Sequence, residues 1–242
     1  MESSTEATMG SANGECMLVI MAKAPRPGMV KTRLTPSLPA EAVTELYRCL
    51  LYDTLGLARS LTAVGVAIMC PAADVDELAR FAGDGVEVVA QMGEGLAAGL
   101  TSVFAHFAAA GRRVVAFNSD SPHLPAAFLA NAFEALYAHD VVAGPTHDGG
   151  YYLIGAKAAH PALFDGGRMG SKSALDALLA RVRALRLSVG FTEPFYDIDV
   201  EEDLARLTAE LRTDPARAPR TAAWLKQWRR ETQPLRMGAA GL

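Results

Sequence analysis

Cysteine is scarce in these 242 residues: Cys16, Cys49 and Cys70 are too far apart for a C-x-x-C metal knuckle, and their odd number argues against a disulfide framework. A reducing cytoplasm is the expected setting. No apolar run reaches the roughly 18 residues that a membrane-spanning helix requires, so no transmembrane segment is expected. Aromatic residues are only 7% of the chain, and no basic stripe is interleaved with them, which leaves no stacking platform for nucleic acid. The opening stretch MESSTEATMGSANGE has neither a basic start nor an apolar core, so residues 1–15 read as a disordered tail and not as a secretory signal. A single domain is expected over 16–232, followed by a flexible tail over 233–242.

Carboxylates are missing altogether between Cys16 and Ala40, where Lys23, Arg26, Lys31 and Arg33 stand, although the net charge of the chain is −4. The segment MLVIMAKAPRPGMVKTRL is a short apolar run feeding a Pro/Gly loop rich in positive charge, as expected of a strand that delivers a phosphate cradle. Two standard cradles are absent. Val30, not glycine, precedes Lys31, which speaks against a Walker loop, and no G-x-G-x-x-G follows the strand, which removes support for a dinucleotide crossover. Side-chain recognition remains: Pro25 and Pro27 stiffen the loop, Gly28 permits a turn, and Lys and Arg reach phosphate oxygens. A solvated basic loop is the competing explanation.

Half of the residues are hydrophobic and 21% are charged, enough apolar material for a full core. From Arg212 onward seven Lys/Arg face two acids, leaving −9 on the preceding chain. That basic end offers itself to an anionic surface or an acidic partner. The simpler reading is a solvated terminal helix around Trp224 to Arg230 whose two tryptophans dock on the body.

Strand-like runs recur at Met17–Met21, Val64–Cys70, Val86–Ala90, Arg113–Asn118 and Val141–Pro145, separated by helix-period segments at Ala40–Leu61, Val75–Ala82 and Leu96–Ala110. Such alternation predicts an α/β fold, a mixed and mostly parallel sheet with helices on both faces. THDGGYYLIGA then reads as a Gly-Gly turn and an antiparallel strand. Helices are expected at Lys172–Arg183 and Val200–Leu211, with a short strand at Ser188–Phe191. In such sheets ligands sit at the carboxyl ends of the strands, which would put the cationic loop and Asn118-Ser119-Asp120-Ser121-Pro122 on one edge.

Asp120 ends a buried strand and is followed by Ser-Pro, which bars immediate helix and holds the carboxylate at the strand tip. There it suits Mg²⁺ or Mn²⁺ bridging to phosphate, or else an N-cap for the helix starting near Pro125. In Tyr196-Asp197-Ile198-Asp199 both carboxylates would share a face of an extended segment. Two bare carboxylates about 4 Å apart repel by roughly 4 kcal/mol at an effective dielectric near 20, so a cation between them is favoured. Asp199 is the preferred partner of Asp120 on a metal, Asp197 the alternative, and a helix cap the competing role. In His147-Asp148-Gly149-Gly150-Tyr151, Asp148 can orient or deprotonate an acceptor hydroxyl, a role worth roughly 10²–10⁴ in rate. A plain hairpin turn explains Asp-Gly-Gly nearly as well. His123 lies close to Asp120 without an identifiable partner, and His106, His139 and His160 show no metal-like spacing.

Taken together, AKAPRPGMVKTRL, NSDSPHLP, GPTHDGGYYLIG and YDIDVEEDL resemble a bacterial family of GT-A-like nucleotide-diphospho-sugar transferases, radical-SAM/selenodomain-associated and assigned to arsenosugar-biosynthesis glycosyl transfer. The match runs in order from about Met17 to Leu211. The resemblance implies a Rossmann-like GT-A fold. It also implies Lys23, Arg26, Gly28, Lys31, Arg33 and Asp120 at the nucleotide, Asp120 and Asp199 on Mg²⁺ or Mn²⁺, and Asp148, Gly149, Gly150 and Tyr151 toward the acceptor. Lys31 and Asp148 would carry the catalysis. The chain departs from the family pattern at QMGEGLAAGL, where Gly99 stands near an expected Arg, and at GGRMGSKSAL, in place of a W-S-T-like segment.

Three functions follow from these residues. The first is a metal-dependent glycosyltransferase moving a sugar from a nucleotide-diphospho-sugar to a small-molecule acceptor. The second is nucleotidyl transfer from an NTP to a phosphorylated small molecule, since K-T-R-L is also similar to the phospholactate guanylyltransferases. The third is a catalytically silent nucleotide-binding module, against which the retained Asp120, Asp148 and Asp199 count. Assembly as a homodimer is left open.

Overall fold

The computed structural model describes residues 15–165 and 173–232. Most of the expected tails, and residues 166–172 of GGRMGSKSAL, lie outside them. Among the described residues seven strands form one sheet: β1 (Cys16–Met21), β2 (Gly65–Cys70), β3 (Glu87–Ala90), β4 (Arg113–Asn118), β5 (Val141–Pro145), β6 (Tyr151–Ala156) and β7 (Val189–Phe191), in the order β3-β2-β1-β4-β6-β5-β7. β1 pairs in parallel with β2 and β4, β2 with β3, and β5 with β7, while β6 runs antiparallel to both β4 and β5. The hairpin expected at Asp-Gly-Gly supplies that reversed strand.

The central strands are apolar on both sides because both sheet faces are covered. Leu18 and Ile20 of β1 join one core cluster, and Met17 and Val19 the other. The first cluster is closed by α1 (Ala40–Arg59), α2 (Val75–Ala82), α4 (Ala126–Ala138), α6 (Glu201–Thr213) and α7 (Pro219–Thr232). The second is closed by α3 (Gly95–Phe107) and α5 (Ala174–Ala184). In α1 the buried residues Val43, Leu46, Tyr47, Leu50 and Leu51 recur at helical spacing and make the stripe that rides on the sheet. Trp224 and Trp228 stack on each other at 5.5 Å and pack against the first cluster, so the basic terminal helix is docked by its tryptophans.

The chain moves outward from β1 to β2 and β3 on one side and to β4 on the other. A crevice therefore opens between the carboxyl ends of β1 and β4, the switch point at which open α/β sheets hold ligands. The start of the reversed β6 falls on the same edge.

Candidate functional site

Past β1 the cationic loop is pinned before it reaches the crevice. The backbone N–H of Ala24 donates to Asp74 Oδ2 at 2.9 Å, and the guanidinium of Arg26 reaches Asp74 Oδ1 at 2.8 Å and Glu77 at 2.9 Å. Arg26 thus ties its loop to the start of α2 and is spoken for by two carboxylates. Beyond the turn at Gly28 (φ 73°), the buried Val30 and Leu34 anchor the chain on either side of Lys31. Lys31 itself adopts a left-handed backbone, φ 47° and ψ 40°, which costs a residue with a side chain about 1 kcal/mol or more.

That conformation sends the ammonium inward. Lys31 Nζ lies 2.8 Å from Asp120 Oδ2 and 2.8 Å from Asp199 Oδ1, with its side chain only 5% exposed. Arg33 pairs with the other oxygen of Asp199 at 3.0 Å from the solvent side. Burial opposes the lysine's charge, but Asp120 and Asp199 outweigh it and its pKa is raised above that of an ordinary lysine.

Asp120 and Asp199 meet because two segments are stitched together behind them. Ile198 N–H donates to the carbonyl of Asp120 at 3.2 Å, and Ser121 Oγ donates to the carbonyl of Tyr196 at 3.1 Å. Ile198 is buried in the core, so Asp197 and Asp199 on either side of it turn the other way, as an extended segment dictates. Asp203 accepts the backbone N–H groups of Asp199 and Val200 at 3.0 Å each, which fixes the start of α6. The capping role open to Asp199 therefore goes to Asp203. Helix α4 likewise begins after Pro125 without a side-chain cap, leaving Asp120 to the crevice.

Carboxylate oxygens of Asp120, Asp197 and Asp199 lie within 4.8 Å of one another. Burial, reinforced by Asp199 and then by Asp120 against the pull of Lys31, pushes the Asp197 carboxyl up to about 6. Asp199 is held below the usual carboxylate range: burial would raise it, but Lys31 and Arg33 prevail. Three hard oxygen donors at this spacing, one of them with no ion pair among the described residues, fit a divalent cation of the Mg²⁺ or Mn²⁺ kind.

Tyr47 carries a role the sequence did not signal. Its hydroxyl accepts the N–H of Lys23 at 3.2 Å and bonds Ser119 Oγ at 2.9 Å, and Ser119 donates to Asp120 Oδ1 at 3.3 Å. This relay links the tips of β1 and β4 and orients the carboxylate. Burial, and after it the charge of Asp120, pushes the Tyr47 phenol up to about 12, so its proton stays on.

Lys31, Arg33, Tyr47, Ser119, Asp120 and Asp199 line a cleft of about 1050 Å³ that also takes in the exposed Lys23, the exposed apolar Met29 and Leu96, and Gln91 on the β3 side. The other residues singled out in the sequence stand elsewhere. Asp148 is exposed and accepts from Thr146 Oγ1 at 2.5 Å and from Gly150 N–H at 3.2 Å, closing its own hairpin turn, with Gly149 at φ 91°. Tyr151 begins β6 half-buried, its pKa raised by burial. The turn shares the sheet edge with the cleft without lining it. At Gly99 an added Cβ would lie 2.7 Å from Met21 Cε and 2.8 Å from Gln91 Oε1, so an arginine there has no room unless both give way.

Residues 54–171 match the model of a family described as "Uncharacterized protein conserved in bacteria (DUF2064)". That segment holds Asp120 and Asp148 but not Lys31, Arg33, Asp197 or Asp199. None of the curated proteins matches the chain. Among solved structures, it is similar to a "putative nucleotide-diphospho-sugar transferase" from Desulfovibrio desulfuricans G20, with a TM-score of 0.82 at 28% identity over 90% of this chain and 96% of that one. The chain has a GT-A-like fold. Its GT-A-like fold is shared at lower similarity by the 4-diphosphocytidyl-2C-methyl-D-erythritol synthase of Anaerococcus prevotii DSM 20548, with a TM-score of 0.57 at 12% identity over 84% and 98% of the two chains. Rv0371c of Mycobacterium tuberculosis H37Rv, in its complex with manganese, gives 0.50 at 20% identity over 80% and 97%. Among the described residues no helix is long and apolar enough to cross a membrane.

Proposed function

We propose that the chain is a transferase acting on a nucleotide-activated donor, and specifically a metal-dependent glycosyltransferase that moves a sugar from a nucleotide-diphospho-sugar to a small-molecule acceptor. The observation that carries this reading is the meeting of Lys31 and Arg33 with Asp120 and Asp199 at the β1/β4 switch point. Similarity to the Desulfovibrio protein supports the donor class, and the manganese complex of the Mycobacterium protein supports the choice of metal.

Asp120, Asp197 and Asp199 would hold Mg²⁺ or Mn²⁺, which when bound neutralises charge that builds on a departing diphosphate. Lys31 and Arg33 would supply further positive charge to the phosphates, and electrostatic stabilisation of this kind is the main catalytic term open to the site. Lys23 reaches the cleft from the strand end, whereas Arg26 contributes by holding the loop in place. Met29 and Leu96 offer apolar surface to the uncharged parts of the donor. Asp148, with Gly149, Gly150 and Tyr151, would face the acceptor from the neighbouring stretch of the sheet edge, and its engagement with Thr146 must loosen for the carboxylate to take a proton.

Nucleotidyl transfer from an NTP can run on the same cations and carboxylates. Incubation with donor candidates, Mn²⁺ and sugar or phosphorylated acceptors separates the two by the product released. A nucleoside diphosphate is the expected product, and pyrophosphate would assign nucleotidyl transfer instead.

A further inference from the structure

Lys31 stands in a place at odds with a side chain waiting for phosphate. Its ammonium is 2.8 Å from an oxygen of Asp120 and 2.8 Å from an oxygen of Asp199, and its side chain is almost wholly withdrawn from solvent. These two carboxylates belong to the trio whose oxygens lie within 4.8 Å of one another, so the lysine already neutralises two of the three groups a divalent ion would draw on. An ammonium and a doubly charged ion compete there, because both draw on the same carboxylates and the two cations repel at close range. The lysine is delivered by a left-handed backbone residue braced by buried Val30 and Leu34, a conformation that persists only when its surroundings enforce it.

We propose that Lys31 is a resident cation which the metal displaces, so that metal and donor diphosphate enter the site as one unit. This rests on the metal-dependent donor reading given above. When the ion arrives with a diphosphate, two positive charges replace one at the carboxylates, and the released ammonium finds the phosphate oxygens that came with the ion. Mn²⁺ alone must expel the ammonium to no partner. A diphosphate alone meets Lys31 and Arg33 already paired with Asp120 and Asp199. Each ligand therefore raises the affinity for the other, and the coupling is reciprocal.

The test is titration of the whole chain with Mn²⁺ alone, free ion being read by electron paramagnetic resonance, for the wild type, Lys31→Met and Lys31→Arg. Lys31→Met is expected to bind Mn²⁺ about tenfold more tightly than the wild type, and Lys31→Arg, which keeps the charge, to remain weak. A damaged fold does not tighten metal binding, and Lys31→Gln, checked by thermal melting, provides a second uncharged variant. Equal or weaker Mn²⁺ binding in both uncharged variants overturns the exchange. If Asp120→Asn placed in the Lys31→Met background leaves tight binding intact, the ion sits elsewhere and the metal reading fails with it. Wild-type binding as tight as that of Lys31→Met sinks the exchange alone.

Discussion

Asp197 sits beside two carboxylates that have cations of their own, and it has none among the described residues. Its burial and the charges of Asp199 and Asp120 make its ionised form costly until an ion arrives. Asp197→Asn should therefore raise the melting temperature of the metal-free protein at pH 7.5 and shrink the stabilisation given by Mn²⁺, both measurable by differential scanning fluorimetry. A lower metal-free melting temperature with the Mn²⁺ effect intact would remove Asp197 from the site. Lys31, Arg33, Asp120 and Asp199 were legible because a run of cations without acids and a carboxylate at a strand tip stand out along the chain. Tyr47, Ser119 and Asp74 were not. A tyrosine in the buried stripe of α1 looks like core, and its meaning comes from Ser119, 72 positions away. Arg26 illustrates the converse: its charge was visible, but its partners Asp74 and Glu77, which turn it into a brace, are set by tertiary packing.

At the scale of elements, the strands were readable because parallel strands buried on both faces are continuous apolar runs. Helix ends were less so, since caps often come from afar. Asp53, buried in the middle of α1, accepts the N–H groups of Arg220 at 3.1 Å and Thr221 at 2.8 Å, capping the first turn of α7 across the fold. Nothing local to α7 announces that cap. Asp53→Ala should lower stability by about 1–2 kcal/mol in urea unfolding, as loss of an N-cap does, while leaving the cleft at the β1/β4 switch point unchanged. A change under the error of the measurement would mean that α7 is held by Trp224, Trp228 and Leu225 alone. The Asp148 turn was read both as an acceptor contact and as a hairpin closure. Its hydrogen bonds are those of the hairpin closure, which is local and therefore visible in Asp-Gly-Gly.

Over the whole molecule, the sheet order places the chemistry, and one buried histidine sets a limit on the conditions it tolerates. His123 is fully buried among Phe195 and Tyr196, neither ring nitrogen has a hydrogen-bond partner among the described residues, and burial with the nearby Arg217 and Arg206 lowers its pKa to about 3. Its neutral form is the folded form. Above about pH 6.5 it is neutral folded or unfolded and its contribution is intact, whereas below that only the unfolded chain takes up the proton, and stability is lost as pH falls toward 3. Between pH 7.5 and 5.0 this amounts to about 2 kcal/mol. Urea unfolding at the two pH values should show His123→Leu losing less stability than the wild type by about that amount. Identical losses would mean that the ring is hydrated.

The switch point between β1 and β4 was inferable from alternating strands and helices, but the convergence of residues 31 and 199 needed the return of the chain after β7. The most direct measurement of that convergence is a thermal-shift panel of UDP, GDP, CDP and ADP sugars, each with and without Mn²⁺, on the wild type and on Asp120→Asn and Lys31→Ala. One donor class should stabilise the wild type with Mn²⁺ far more than without it; Asp120→Asn should lose that gain, and in Lys31→Ala the donor should add little to the stabilisation that Mn²⁺ gives alone. Stabilisation that is independent of Mn²⁺ and survives in both variants would contradict a shared site of cations and carboxylates for an anionic donor.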